Sequence, residues 1–125
     1  MSDSIVIAAA RRTPIGGFQG IFSPVSATQL GSCAAAAALA DSGLSPDAID
    51  EVIFGCVLPA GLGQAPARQA AVGAGIALSV PATTVNKMCG SGMKAVMLAA
   101  DQIRAGSARA ILAGGLESMT NAPYL

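Results

Sequence analysis

Histidine and tryptophan are absent from this sequence, and its aromatic residues are three phenylalanines and one tyrosine. Without histidine, the commonest neutral-pH proton shuttle and a principal zinc ligand are missing together. So few rings leave no stacking platform for nucleic-acid bases. Charge is scarce as well. Seven basic and seven acidic residues make up 11% of the 125, against the ~25% usual in soluble domains. A net charge of zero, evenly spread, argues against nucleic acid as a partner. No apolar run approaches the ~18 residues of a membrane-spanning helix, so no membrane partner is expected. With 53% hydrophobic residues, the charge deficit points instead to surface buried against protein. Cys33, Cys56 and Cys89 are odd in number and form no C-x-x-C pair, so neither a metal site nor a disulfide framework is expected. Residues 1–4 carry an acid and no base, and Arg11 and Arg12 follow the apolar run at 5–10 instead of preceding it. No targeting signal is expected there, and the expected location is cytoplasmic.

What is present centres on residues 85–106. They read as the end of a strand, a tight turn and a long helix. Cys89 stands where the helix begins, between Lys87 and the run Gly90-Ser91-Gly92. Gly90 and Gly92 let backbone and ligand approach closely, because glycine has no Cβ. From 95 to 100 the helix is apolar all round, the pattern of a helix inside a protein. Gly106 suits the position that stops it. A helix N-terminus offers partial positive charge and free N–H groups. A thiol placed there ionises more readily, and thiolate is the nucleophilic form. The Cys89 N–H can also face a developing oxyanion. The plainer reading is a small buried hydrophobe, which free cysteine often is. A glycine-flanked strand-to-helix junction favours the nucleophile.

The rest of the chain frames that stretch. Residues 5–10 are a continuous apolar run, expected as a strand buried on both faces. Ser26 and Gln29 have capping-box spacing and open a helix that runs through the alanines to Ala40, with Gly43 closing it. Cys33, mid-helix, is read as packing, and the alanines as a surface for close helix contact. Ser45-Pro46 opens at most a short turn to Asp50. Residues 52–57 are β-branched and aromatic and predict a strand; Cys56 at its end is also read as packing. Gly61-Leu62-Gly63 lacks the third glycine and the downstream acid of a dinucleotide fingerprint. Pro66 starts a helix to about Gly73, and its lone charge, Arg68, is read as pinning a loop or an interface. Residues 82–86 and 109–113 are the remaining strands, the latter broken by Gly114-Gly115. Glu117 is either a surface carboxylate or a hydrogen-bond anchor for the Cys89 loop. The alternation predicts an α/β protein in βαβαβαβ order. Its sheet is largely parallel, with helices on both faces and Cys89 at the shared C-terminal edge.

Asn86-Lys87-Met88-Cys89-Gly90-Ser91-Gly92-Met93-Lys94-Ala95, continuing to Ile103 and Gly106, resembles the acyl-enzyme signature of the thiolases. Gln64-Ala65-Pro66-Ala67-Arg68-Gln69-Ala70-Ala71 resembles a second stretch of that family. Ala113-Gly114-Gly115-Leu116-Glu117-Ser118-Met119-Thr120-Asn121-Ala122-Pro123 resembles a third. Ile5-Val6-Ile7 with Arg12-Thr13-Pro14-Ile15-Gly16 fits its opening. The resemblance spans the chain and covers the N-terminal part of a thiolase, well under half. It implies an N-terminal domain at 1–119, incomplete without later sequence, and the start of a loop region at 120–125. It implies a thiolase-like fold with a buried central helix, and an acetyl-CoA acetyltransferase. In that family the residue matching Cys89 takes the acyl group as a thioester, and its N–H is one oxyanion donor. A carbanion from a second acyl-CoA then attacks, joining two acetyl-CoA into acetoacetyl-CoA; thiolysis is the reverse. Coenzyme A thioesters are thus implied as substrates, with no bound cofactor and most coenzyme A contacts outside this stretch. A homodimer or homotetramer with 82–86 near a two-fold axis, and a setting in lipid metabolism, are implied too.

Lys-Met before Cys89 and Gly-Ser-Gly after it resemble the acetoacetyl-CoA type more than a longer-chain 3-ketoacyl-CoA thiolase. A β-ketoacyl synthase shares the fold and nucleophile, but usually has Thr-Ala-Cys and lacks Gly-Gly-Leu-Glu-Ser-Met. A non-catalytic thiolase-like binding subunit is opposed by the intact Cys89, and a redox-sensing thiol needs a resolving cysteine beside it. Condensation needs a base to activate the cysteine and a second group to take a substrate proton. Near Cys89 the sequence offers Lys87, Lys94 and Glu117, none an evident neutral-pH base. In the family a histidine and a second cysteine of the C-terminal half fill those roles. The expectation is therefore an N-terminal fragment that works docked to the C-terminal half as a separate polypeptide, its sheet completed by a strand from later sequence.

Overall fold

The computed structural model describes residues 4–124. Its centre is a three-stranded parallel sheet made of β1 (Glu51–Gly55), β2 (Ala82–Val85) and β3 (Ile111–Gly115), in the order β2-β1-β3. Gly55 is in register with Val85 on one side and Gly115 on the other. The three C-terminal ends therefore share one edge. β1 alternates between two cores. Val52 and Phe54 face one side, with α1 (Ala27–Ser42) and α2 (Pro66–Gly73). Ile53 faces the other, against Ala95 and Ala99 of α3 (Ser91–Arg104). The parallel sheet with helices on both faces is as the sequence predicts.

The helix limits follow local chemistry. Ser26 and Gln29 form a reciprocal capping box at the start of α1, and Gly43 ends that helix in the left-handed conformation with φ 71°. Gly106 ends α3 likewise, with φ 76°. Ser107 N–H donates to Gln102 O and Gly106 N–H to Ile103 O, both at 3.0 Å, the paired bonds of a Schellman motif. Pro66 opens α2 as expected, and the Thr84 hydroxyl accepts the Ala67 N–H at 3.1 Å. Arg68 does pin a loop: its guanidinium donates to the carbonyls of Val80 and Leu78, each at 2.7 Å. A short 3-10 turn at Pro46–Ala48 precedes β1.

Four expectations change. Residues 5–10 form no ladder with any described residue, and Val6 and Ile7 are 76% and 80% exposed. Both edges of β1 are taken by β2 and β3, and no described segment pairs with this run. Gly114 and Gly115 extend β3 instead of breaking it, because pairing with β1 continues to Gly55–Gly115. Cys33 is exposed, not packed. The inward stripe of α1 is Ala27, Gly31, Ala35 and Leu39, and Cys33 lies between two of its members, on the far side. Finally, α3 is buried on one side only. Ser91, Ala95 and Ala99 face the sheet, while Met93 and Met97 are 73% and 53% exposed.

Candidate functional site

The site is built where the strand ends meet the start of α3. After β2 the chain turns sharply through Lys87, Met88, Cys89 and Gly90, with Gly90 N–H donating to Lys87 O at 2.8 Å. Cys89 takes φ 58°, a left-handed conformation that costs a residue with a Cβ about 1–2 kcal/mol. Gln19 and Ala65 share that backbone region. Ser91 holds the turn. Its buried hydroxyl accepts the Lys87 N–H and donates to the Lys87 carbonyl, both at 2.9 Å. The turn pushes Cys89 outward, and the residue is exposed, not a core filler. No side chain caps α3, so its first N–H groups remain open. The Cys89 N–H takes no acceptor among the described residues.

The elbow depends on close contact with the sheet. A Cβ built on Gly55 would lie 2.3 Å from the Ser91 carbonyl carbon and 2.6 Å from the Gly92 nitrogen. One on Gly115 would lie 3.2 Å from the Gly92 Cα. Two strands and a helix therefore meet too closely for a Cβ on either strand glycine to fit without a shift. Beside this seam lies a cleft of about 350 Å³ whose walls include Val57, Cys89, Gly92 and Glu117.

Glu117 is an exposed carboxylate, the first of the two readings the sequence offers, but it is not idle. Its carboxylate accepts N–H groups from Val57 at 2.9 Å and Leu58 at 3.0 Å, so it anchors the loop after β1 and not the Cys89 turn. Cys56 is buried as expected, but it has a partner: its thiol donates to Glu117 at 3.5 Å. Burial first, then the Glu117 charge, push the Cys56 pKa up to about 11. Cys56 is thus a neutral donor at physiological pH. Asn86 supplies a further tie that the sequence does not suggest, donating to the Val57 carbonyl at 3.2 Å. Ser91 was legible only as a polar helix residue. A serine in the first turn after a glycine can bond a carbonyl four residues back, and that spacing is the signal that would have found it. Among the described residues no group of three or more His, Cys, Asp or Glu is placed to hold a metal ion.

The family profile described as "Thiolase, N-terminal domain" matches residues 5–125. This chain belongs to the thiolase family. The thiolase chain is 55% identical to "Acetyl-CoA acetyltransferase B, mitochondrial" of Xenopus laevis over 122 residues, which are 98% of this chain and 29% of that protein. It is 57% identical to "Acetyl-CoA acetyltransferase 2" of Arabidopsis thaliana, over 95% of this chain and 30% of the relative. It is 50% identical to "Acetyl-CoA acetyltransferase" of Cupriavidus necator, over the whole chain and 32% of that protein. The crystal structure of the Acat5 thiolase of Ascaris suum, solved in complex with coenzyme A, superposes with a TM-score of 0.93 at 43% identity. It covers 95% of this chain and 31% of that one. The thiolase chain thus spans about 30% of the length of the curated relatives it matches.

Proposed function

We propose that this chain is the nucleophile-bearing part of an acetyl-CoA C-acetyltransferase. The observation that carries the reading is Cys89: an exposed thiol held on a left-handed elbow, at the uncapped start of α3, beside a cleft at the sheet edge. The relatives named above, all acetyl-CoA acetyltransferases, support the acetyl group as cargo. In the first half-reaction the Cys89 sulfur attacks the thioester carbonyl of acetyl-CoA. The carbonyl oxygen becomes an oxyanion, which the free Cys89 N–H is suited to receive. The C–S bond to coenzyme A then breaks, and coenzyme A leaves as a thiolate that takes up a proton. In the second, the deprotonated methyl carbon of another acetyl-CoA attacks the acyl-Cys89 carbonyl, releasing the cysteine and forming acetoacetyl-CoA. Run backwards, the same steps are thiolysis.

The bases for both halves must come from elsewhere, since the chain has no histidine and both oxygens of Glu117 are engaged by N–H groups. We therefore read the working enzyme as this chain docked to the C-terminal portion of a thiolase. We also infer pairing of two such units near β2, one edge of the sheet, which closed two-fold assembly would use.

The test is acylation of this chain assembled with a thiolase C-terminal portion. Brief exposure to acetyl-CoA should add one acetyl group, which peptide mass mapping places on Cys89. Iodoacetamide should label Cys89 faster than exposed Cys33, and Cys56 last. An acetyl group on Cys33, or none at all, would overturn the assignment.

A further inference from the structure

Val57 is gripped from both sides. Its N–H donates to Glu117, which follows β3, and its carbonyl accepts from Asn86, which precedes the Cys89 turn. The neighbouring Leu58 N–H donates to the other Glu117 oxygen. Val57 is also one wall of the cleft that holds Cys89. One peptide unit facing the nucleophile is thus fixed by two side chains from separate elements. Little of this serves the sheet, because β1 ends at Gly55 and the gripped residues lie beyond it.

We propose that Glu117 is a positioning residue for acyl transfer: by holding Val57 across the cleft from Cys89, it sets how large an acyl group the cysteine can carry. The inference rests on the acyl-transfer reading above. Its physical basis is the match of acceptors to donors. Two successive N–H groups meet two carboxylate oxygens. A glutamine of the same size turns one of those oxygens into an NH₂ group, so one N–H faces a donor. The loop must then shift, and Val57 with it. An aspartate keeps both acceptors on a shorter arm. The shift falls on a wall of the cleft beside Cys89, so the variant should act on the reacting acyl group more than on binding.

The experiment uses this chain assembled with a thiolase C-terminal portion, with acetyl-CoA, butanoyl-CoA and hexanoyl-CoA as acyl donors. Glu117→Gln should lower kcat for acetyl transfer on the order of 10-fold, with KM for acetyl-CoA within about twofold. The preference for acetyl over butanoyl should fall on the order of 5-fold, part of what one or two methylenes are worth in a fitted pocket. Glu117→Asp should recover most of that preference. Asn86→Ala, which frees the Val57 carbonyl, should shift the ratio in the same direction. Loss of folded protein scales all three donors equally and leaves the ratio unmoved. Wild-type preference in Glu117→Gln, or in Asn86→Ala should that one not fold, overturns the positioning role while leaving Cys89 as the nucleophile. Absence of any acyl-Cys89 in the unsubstituted assembly removes the acyl-transfer reading, and this inference with it.

Discussion

Asp50 shows how much one half-buried carboxylate can organise in a chain so poor in charge. It accepts the N–H groups of Arg109 at 2.7 Å and Ala110 at 3.1 Å, and so fixes the entry into β3. Those two bonds, Arg109 first, hold its pKa below the ordinary carboxylate value. A carboxyl depressed by folding gives its full stabilisation above the unfolded pKa of about 4 and loses it as pH falls through the folded value. The melting temperature of the assembled protein should therefore drop on acidification below about pH 4, and Asp50→Asn should flatten that limb. Identical acid limbs in the two proteins would remove Asp50 from the account. Neither this tie nor that of Glu117 was legible in the sequence, since each spans some 60 positions. The turn that exposes Cys89 was legible, because its glycine-flanked junction is local. Cys33 was misread because α1 has apolar residues on every side and nothing in its pattern marks which face turns inward.

Helices announced themselves better than strands. The box at Ser26, the proline at 66 and the glycines at 43 and 106 are local signals, and each element ends where its signal stands. A strand exists only by its partner, so the apolar run at 5–10 and the glycine pair ending β3 were both misjudged. The contact of α3 with β1 separates stability from activity. Gly55→Ala inserts a Cβ into the Ser91 backbone and should cost about 1–3 kcal/mol. Leu39→Ala, in the buried stripe of α1, should cost about 2–5 kcal/mol. Denaturant midpoints should rank Leu39→Ala as the weaker protein. Rates of acetyl transfer to Cys89 should rank Gly55→Ala as the slower. If both measurements rank the two variants alike, the seam does not govern the nucleophile.

At the scale of the molecule, large apolar side chains lie uncovered along α3 and in residues 5–10. Patches of this kind mark surfaces that meet protein. Expressed by itself, the 125-residue chain should be inactive, and insoluble or molten by near-ultraviolet circular dichroism. Co-expression with a thiolase C-terminal portion should restore cooperative melting and turnover, with light scattering giving an even number of pairs of chains. Turnover by the lone chain would contradict this. The glycine seam also sets an order of events. A chain made from its N-terminus has β1 and the elbow sequence before β3 and Glu117 emerge. Until they do, Gly115 cannot support the start of α3 and the Val57 N–H lacks its Glu117 acceptor. The Cys89 thiol therefore travels through synthesis on a turn not yet braced by the sheet, and its exposed posture is settled only after β3 has emerged.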